Sequence, residues 1–173
     1  MTEKIRLDLA CGNNKREGFI GVDQSLETTQ ADVAHDLESY PWPFPEGYAD
    51  EVFCSHFIEH VVDLIAFMNE VWRVMKPGGQ ATFVAPYYTS VWAIQDPTHK
   101  RSISEQTFLY FNREWREANR LQHYPIVADF KIEKIERVVT PAFADKTPDE
   151  ITFAATHYWN VINEITVVLK KPE

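Results

Sequence analysis

Basic side chains are scarce in this 173-residue sequence: 17 lysines and arginines face 26 aspartates and glutamates, for a net charge of −9 at pH 7. So acidic a chain lacks the basic face of a nonspecific nucleic-acid binder, which argues against nucleic acid as a partner. No run approaches the roughly 18 apolar residues of a membrane-spanning helix, and no cationic start leads into an apolar stretch. Neither a membrane span nor a signal peptide is therefore expected. Cysteine is sparse too. Cys11 and Cys54 fall in apolar, strand-like runs rather than in the loops of a disulfide scaffold, and are expected as reduced thiols packed like small hydrophobes. Internal repeats and low-complexity tracts are missing. What is left is a soluble, cytoplasmic protein whose length and 45% apolar content suit one domain over residues 1–173 with a sizeable core. Self-association stays open.

The most informative stretch that is present is the opening. Ile5-Arg-Leu-Asp-Leu-Ala-Cys-Gly12 is an apolar run ending in a glycine turn, and Gly18-Phe-Ile-Gly-Val-Asp23 is a second run ending in an acid. That pattern is a strand, a tight turn and a second strand whose terminal carboxylate can grip a ribose. Only 11 positions separate Gly12 from Asp23. A dinucleotide site needs a helix there to hold the pyrophosphate, and its acid normally lies about 20 residues on. The spacing therefore points to a nucleoside without phosphates, of which S-adenosylmethionine is the obvious example.

Further along, Ala31 to His35 reads as a third strand ended by Asp36, and Asp50 to Ser55 as a fourth. Between them Tyr40-Pro-Trp-Pro-Phe-Pro-Glu-Gly47 is a proline-punctuated loop. Val61, Leu64, Ile65, Met68, Val71, Trp72 and Met75 repeat at helical spacing up to the stop at Lys76-Pro-Gly-Gly79. Gln80 to Ala85 is a fifth strand, Ser104 to Arg120 a helix, and Phe130 to Val139 and Glu164 to Leu169 are two late strands with little helix between. The expected fold is α/β and Rossmann-like: a doubly wound, mostly parallel, seven-stranded sheet with an antiparallel edge strand and helices on both faces. In such sheets ligands bind outside the carboxyl ends of the strands, where Asp8 to Gly12, Asp23, Asp36 and Ser55-His56 all fall.

These residues resemble a known family. Leu7-Asp-Leu-Ala-Cys-Gly12 is similar to the first motif of class I S-adenosylmethionine-dependent methyltransferases, and Gly21-Val-Asp23 to their second-strand acid. Phe44-Pro through Ala49-Asp-Glu-Val-Phe53 looks like the stretch into their fourth strand; Phe57-Ile-Glu-His60 and Arg73-Val-Met-Lys-Pro-Gly-Gly79 look like the helix and turn of the small-molecule subgroup. The likeness runs from Ile5 to Pro86. Asn14 stands in place of the usual second glycine, and the first helix is nearly absent. The resemblance implies a cofactor site at Asp8, Ala10, Cys11, Gly12, Asp23, Asp36, Leu37, Ser55 and His56, with Asp36 and Leu37 flanking the adenine. Plainer roles stay open: Asp8 and Gly12 shaping a turn, Asp23 left solvated, Asp36 capping a loop.

The segment Pro86-Tyr-Tyr-Thr-Ser-Val-Trp-Ala-Ile-Gln-Asp-Pro-Thr-His-Lys-Arg101 leaves the fifth strand at the same crevice and mixes aromatic with polar side chains. It is the expected pocket for a small-molecule methyl acceptor. A neutral histidine suits removal of an acceptor proton, so His99 is the first catalytic candidate and His56 the second, with Tyr87 as positioning partner. His56-x-x-Glu-His60 has a metal-like composition, but His56 precedes the helix and the two rings are expected to diverge, so no metal is expected. Tyr110, Phe111, Trp115, Tyr158 and Trp159 read as core or interface aromatics. Two other readings compete: an S-adenosylmethionine-binding domain without catalysis, and a nicotinamide-dependent oxidoreductase.

Overall fold

The computed structural model of the chain describes residues 4–173. Seven strands, β1 (Arg6–Leu9), β2 (Ile20–Asp23), β3 (Val33–Ala34), β4 (Ala49–Ser55), β5 (Met75–Pro86), β6 (Lys131–Val139) and β7 (Ile162–Lys170), form one sheet in the order β3-β2-β1-β4-β5-β7-β6. β1 to β5 pair in parallel, and β7 runs antiparallel to both β5 and β6. The mostly parallel sheet with antiparallel pairing at one edge, read from the sequence, is the fold observed. The order reverses between β1 and β4, which sets a ligand crevice at their carboxyl ends.

Alternation along the strands decides the faces. β5 buries Ala81, Phe83 and Ala85, and β7 buries Ile165, Val167 and Leu169. They join Leu7, Leu9, Val52 and Cys54 in a core closed by Phe67, Met68 and Val71 of helix α1 (Leu64–Val74). On the opposite face Asp8 and Phe53 share a row. There the short first crossover gives a loop in place of a helix: the Arg16 guanidinium lies 3.9 Å from the Phe53 ring centre, and the Arg16 amide donates to Asp8 Oδ2 at 2.7 Å.

α1 starts where Asp63 Oδ1 accepts the Ala66 amide at 2.9 Å, and it ends at Val74. Lys76-Pro-Gly-Gly79, expected as the helix stop, already belongs to β5. Gly79 is needed there, because a Cβ would stand 2.9 Å from the Lys76 carbonyl and 3.1 Å from that of Asp50. Asp63→Ala is expected to cost about 1 kcal/mol. A thermal melt should therefore fall by roughly 2–4 °C; an unchanged midpoint would show that the cap contributes nothing.

The structure departs from the sequence reading in its second half. The helix expected over Ser104 to Arg120 is two short ones, α3 (Glu105–Leu109) and α4 (Arg113–Ala118), because the Asn112 side chain accepts the Trp115 amide and caps a new start. A further short helix, α2 (Trp92–Gln95), follows β5. The region read as nearly helix-free holds a 3-10 turn at Pro141–Phe143 and α5 (Pro148–His157). Of the aromatics read as core or interface, Phe111 is buried, while Tyr158 and Trp159 are exposed. No helix among the described residues is long and apolar enough to cross a membrane.

Candidate active site

At the carboxyl end of β1 the chain turns through Ala10 (φ 54°) and Gly12 (φ 51°), and at the end of β4 through His56 (φ 52°). Left-handed backbone at non-glycine positions costs energy and clusters at functional sites. The Asp23 carboxylate holds the first turn: Oδ2 accepts the Gly12 amide at 2.9 Å, and Oδ1 accepts the Gln24 amide at 2.8 Å. Beside it opens a cleft of about 240 Å³ lined by Ala10, Asp23, Gln24, His35, Asp36, Leu37, Glu38 and Phe57. Four residues singled out from the sequence, Ala10, Asp23, Asp36 and Leu37, thus meet in one crevice. Asp36 also caps its own turn, accepting the Glu38 amide at 3.0 Å and the Ser39 hydroxyl at 3.1 Å.

The other expected cofactor residues stand behind this cleft or beside it. Asp8 is buried and turned toward the Arg16 loop, where burial raises its carboxyl above the usual range despite the Arg16 amide. Both cysteines are free and buried, as the sequence suggests. Burial, with Asp8 and Asp23 nearby, pushes the Cys11 thiol up to about 11, and burial lifts Cys54 well above its ordinary value. Neither thiol is a nucleophile at neutral pH.

A second cleft of about 270 Å³ begins one residue from the first: Phe57 lines the first, and His56 lines the second together with Glu59, His60, Pro86, Trp92, Gln95, Asp96 and His99. The loop after β5 thus reaches the crevice as the sequence reading requires. Trp92 is 43% exposed on its wall, not core filler. The His99 ring places Nδ1 3.0 Å from the Ala93 carbonyl, so Nδ1 is the protonated nitrogen and the Nε2 lone pair is free. His56 is set differently. Nε2 lies 2.8 Å from Glu164 Oε2 and Nδ1 3.6 Å from Glu59 Oε1; these carboxylates, Glu59 foremost, raise its pKa against partial burial. With both nitrogens facing carboxylates, His56 is a poor proton acceptor, which removes it as the second candidate base.

Tyr87 also changes role. It continues β5 on the core face, and its hydroxyl donates to Glu105 Oε2 at 3.2 Å. The groove it lines holds Tyr88, Arg137 and Ile151 rather than His99. Burial, with Glu105 beside it, pushes the phenol up to about 12. It therefore does not position an acceptor against His99. Sequence reasoning missed Gln24, His35, Glu38 and Phe57 in the first cleft; each of them adjoins a residue it named.

Residues 7–83 match the methyltransferase domain family. The match spans a little under half of the chain. The fold of the chain is shared with an S-adenosylmethionine-dependent methyltransferase from Archaeoglobus fulgidus (TM-score 0.64, 22% identity, covering 97% of this chain and 86% of that one). It is shared too with one from Methanosarcina mazei (TM-score 0.60, 16% identity, covering 99% and 94%). The [4+2]-cyclase SpnF has the same architecture (TM-score 0.62, 17% identity, covering 98% of this chain and 75% of that one), so the fold alone does not choose the reaction. By sequence, 50 residues are 38% identical to the chloroplastic 2-methyl-6-phytyl-1,4-hydroquinone methyltransferase of Arabidopsis thaliana. That stretch is 29% of this chain and only 15% of the relative.

Proposed function

We propose that this domain transfers the methyl group of S-adenosylmethionine to a small-molecule acceptor. The observation that carries the reading is the pair of adjoining clefts at the sheet's switch point, one lined by Asp23, Asp36 and Leu37 and the next by His99 and Trp92. Asp23 would accept the ribose hydroxyls, and Leu37 and Phe57 would flank the adenine. The residues Asp8, Cys11, Gly12 and Ser55 would support the turns beneath the methionine part. The acceptor would enter over His99. Its nucleophile displaces the sulfonium, so the protein supplies chiefly alignment and removal of a proton. The flat walls from Trp92 and Pro86 favour a planar acceptor, and the short match to a hydroquinone methyltransferase makes phenols the first class to try.

Isothermal titration tests the cofactor half. S-adenosylhomocysteine is expected to bind and NAD is not, since no helix stands after β1 to hold a pyrophosphate. Asp23→Ala is expected to weaken S-adenosylhomocysteine at least tenfold, because a hydrogen bond to a charged group contributes about 1.5–3 kcal/mol. Asp23→Asn separates turn from ligand: it keeps an acceptor for the Gly12 amide yet loses the charge. Unchanged affinity in both variants would remove ribose recognition from this residue. Turnover of a labelled methyl donor over a panel of phenols and small metabolites then distinguishes an enzyme from a silent binding domain.

A further inference from the structure

Neither carboxylate oxygen of Glu59 has a hydrogen-bond partner, although the residue is only 2% exposed. A buried carboxylate without a donor is costly, and such groups are normally paired or bound to metal. Around Glu59 lie three imidazoles: that of His56, whose Nδ1 stands 3.6 Å from Oε1, beyond hydrogen-bond distance, and those of His60 and His99. One ligand atom from each of Glu59, His60 and His99 falls within 4.8 Å of the other two.

The hydrogen bonds behind the rings fix what they present to Glu59. The Thr98 hydroxyl donates its single proton to Asp96 Oδ1 at 2.6 Å, so at 2.9 Å it can only accept from Nδ1–H of His60. The Ala93 carbonyl likewise only accepts, from Nδ1–H of His99. Each neutral ring therefore keeps its lone pair on Nε2. A nitrogen of each imidazole and a carboxylate oxygen thus lie together with no hydrogen bond from either ring to Glu59, a donor set that a cation would draw into register. Metal-bound histidines typically donate the other ring N–H to a carbonyl or a polar partner, as both do here.

We infer that Glu59, His60 and His99 bind a divalent cation of the zinc type in the acceptor cleft. Two imidazoles and one carboxylate suit Zn²⁺ or a neighbouring transition metal better than Mg²⁺ or Ca²⁺, and three protein ligands leave a coordination position open. Bonds of about 2.0–2.2 Å would draw the three side chains together. His56 is not a ligand, because its nitrogens face Glu59 and Glu164. The helical His56/His60 pair weighed from the sequence is thus not the site: both residues precede α1, and the partner of His60 comes from the later loop. The site goes beyond the methyl-transfer reading, and metal binding itself does not depend on it; with the cation bound, His99 is a ligand and not the base, and the acceptor's proton would pass to a metal-bound hydroxide.

The test is titration of the chelator-stripped full chain with Zn²⁺ by calorimetry and with Co²⁺ by visible absorption. One equivalent is expected to bind with micromolar or tighter affinity, giving the intense bands of four- or five-coordinate cobalt. His60→Ala and His99→Ala are each expected to weaken it at least tenfold. Zn²⁺ should raise the melting temperature of the wild type but not of His99→Ala. Glu59→Gln should bind metal at least tenfold more weakly, because it replaces the anionic ligand with a neutral amide. Should an alanine variant misfold by circular dichroism, His99→Asn is measured in its place. The inference is overturned if no saturable equivalent binds, or if the folded histidine variants keep wild-type affinity. S-adenosylhomocysteine titrated into the same samples separates the two readings: zinc binding without S-adenosylhomocysteine binding leaves this site standing and defeats the cofactor assignment, and the reverse defeats this site alone.

Discussion

Replacing His99 by alanine is expected to lower turnover at least a hundredfold while S-adenosylhomocysteine affinity stays within twofold. The ring lies on the cleft wall with its side chain 9% exposed, Nδ1 tied to the Ala93 carbonyl and Nε2 4.0 Å from Asp96 Oδ2. Alanine removes the imidazole that the loop after β5 brings to this cleft. A positioned group that takes or holds a proton in the transition state contributes typically 10²–10⁴-fold, and a metal ligand in the same place would matter comparably. The cleft proposed for the cofactor is lined by other residues, so S-adenosylhomocysteine affinity should not move. The measurement is initial rate against acceptor concentration, with the acceptor drawn from the phenol and metabolite panel. Unchanged turnover would take His99 out of the reaction. A parallel loss of S-adenosylhomocysteine affinity would place it on the cofactor side instead.

The gathering of Ala10, Asp23, Asp36 and Leu37 into one cleft was legible in the sequence because its parts are local. Asp23 lies eleven positions after Gly12, and one short crossover brings its carboxylate to the Gly12 amide. A strand that alternates and then ends in Gly or Asp needs no tertiary information to be read. The second cleft depends on contacts across about forty positions, Glu59 and His60 against Thr98 and His99, and no periodicity marks such a meeting. His56 misled for the same reason: its partner Glu164 arrives from β7, 108 positions away. Other features were present but unread. Thr147-Pro148-Asp149-Glu150 is a capping box with proline at the first turn, a sufficient signal for α5. Asn112 interrupts the run expected as one helix, and its side chain restarts it. The switch of Lys76-Pro-Gly-Gly79 from helix stop to strand is a tertiary effect, since Met75 already pairs with Ala49 of β4.

Arg101 joins the two segments that carry Glu59, His60 and His99, and its loss should be felt in both stability and metal affinity. Its Nη1 donates to the Val61 carbonyl and, at 3.4 Å, to that of Ile58; Nη2 donates to the Val62 carbonyl at 2.9 Å. Those carbonyls lie in the segment between β4 and α1 that carries Glu59 and His60, while Arg101 belongs to the loop carrying His99. Nearby, the Lys100 amide donates to the Glu59 carbonyl at 2.8 Å. Arg101→Ala leaves three carbonyls without their donor. Hydrogen bonds from a charged group contribute about 1.5–3 kcal/mol each but do not add fully, so a loss of about 3 kcal/mol is expected. For a chain of this length that lowers the melting temperature by roughly 6–12 °C. Arg101→Lys should recover only part, since an ammonium cannot reproduce the planar fork that spans three acceptors. With the two segments released, Zn²⁺ affinity should fall at least tenfold in Arg101→Ala, even though Glu59, His60 and His99 are all retained. If the melting temperature falls while Zn²⁺ affinity holds, the trio is organised by its own loops; if neither changes, the guanidinium does not bridge them in solution.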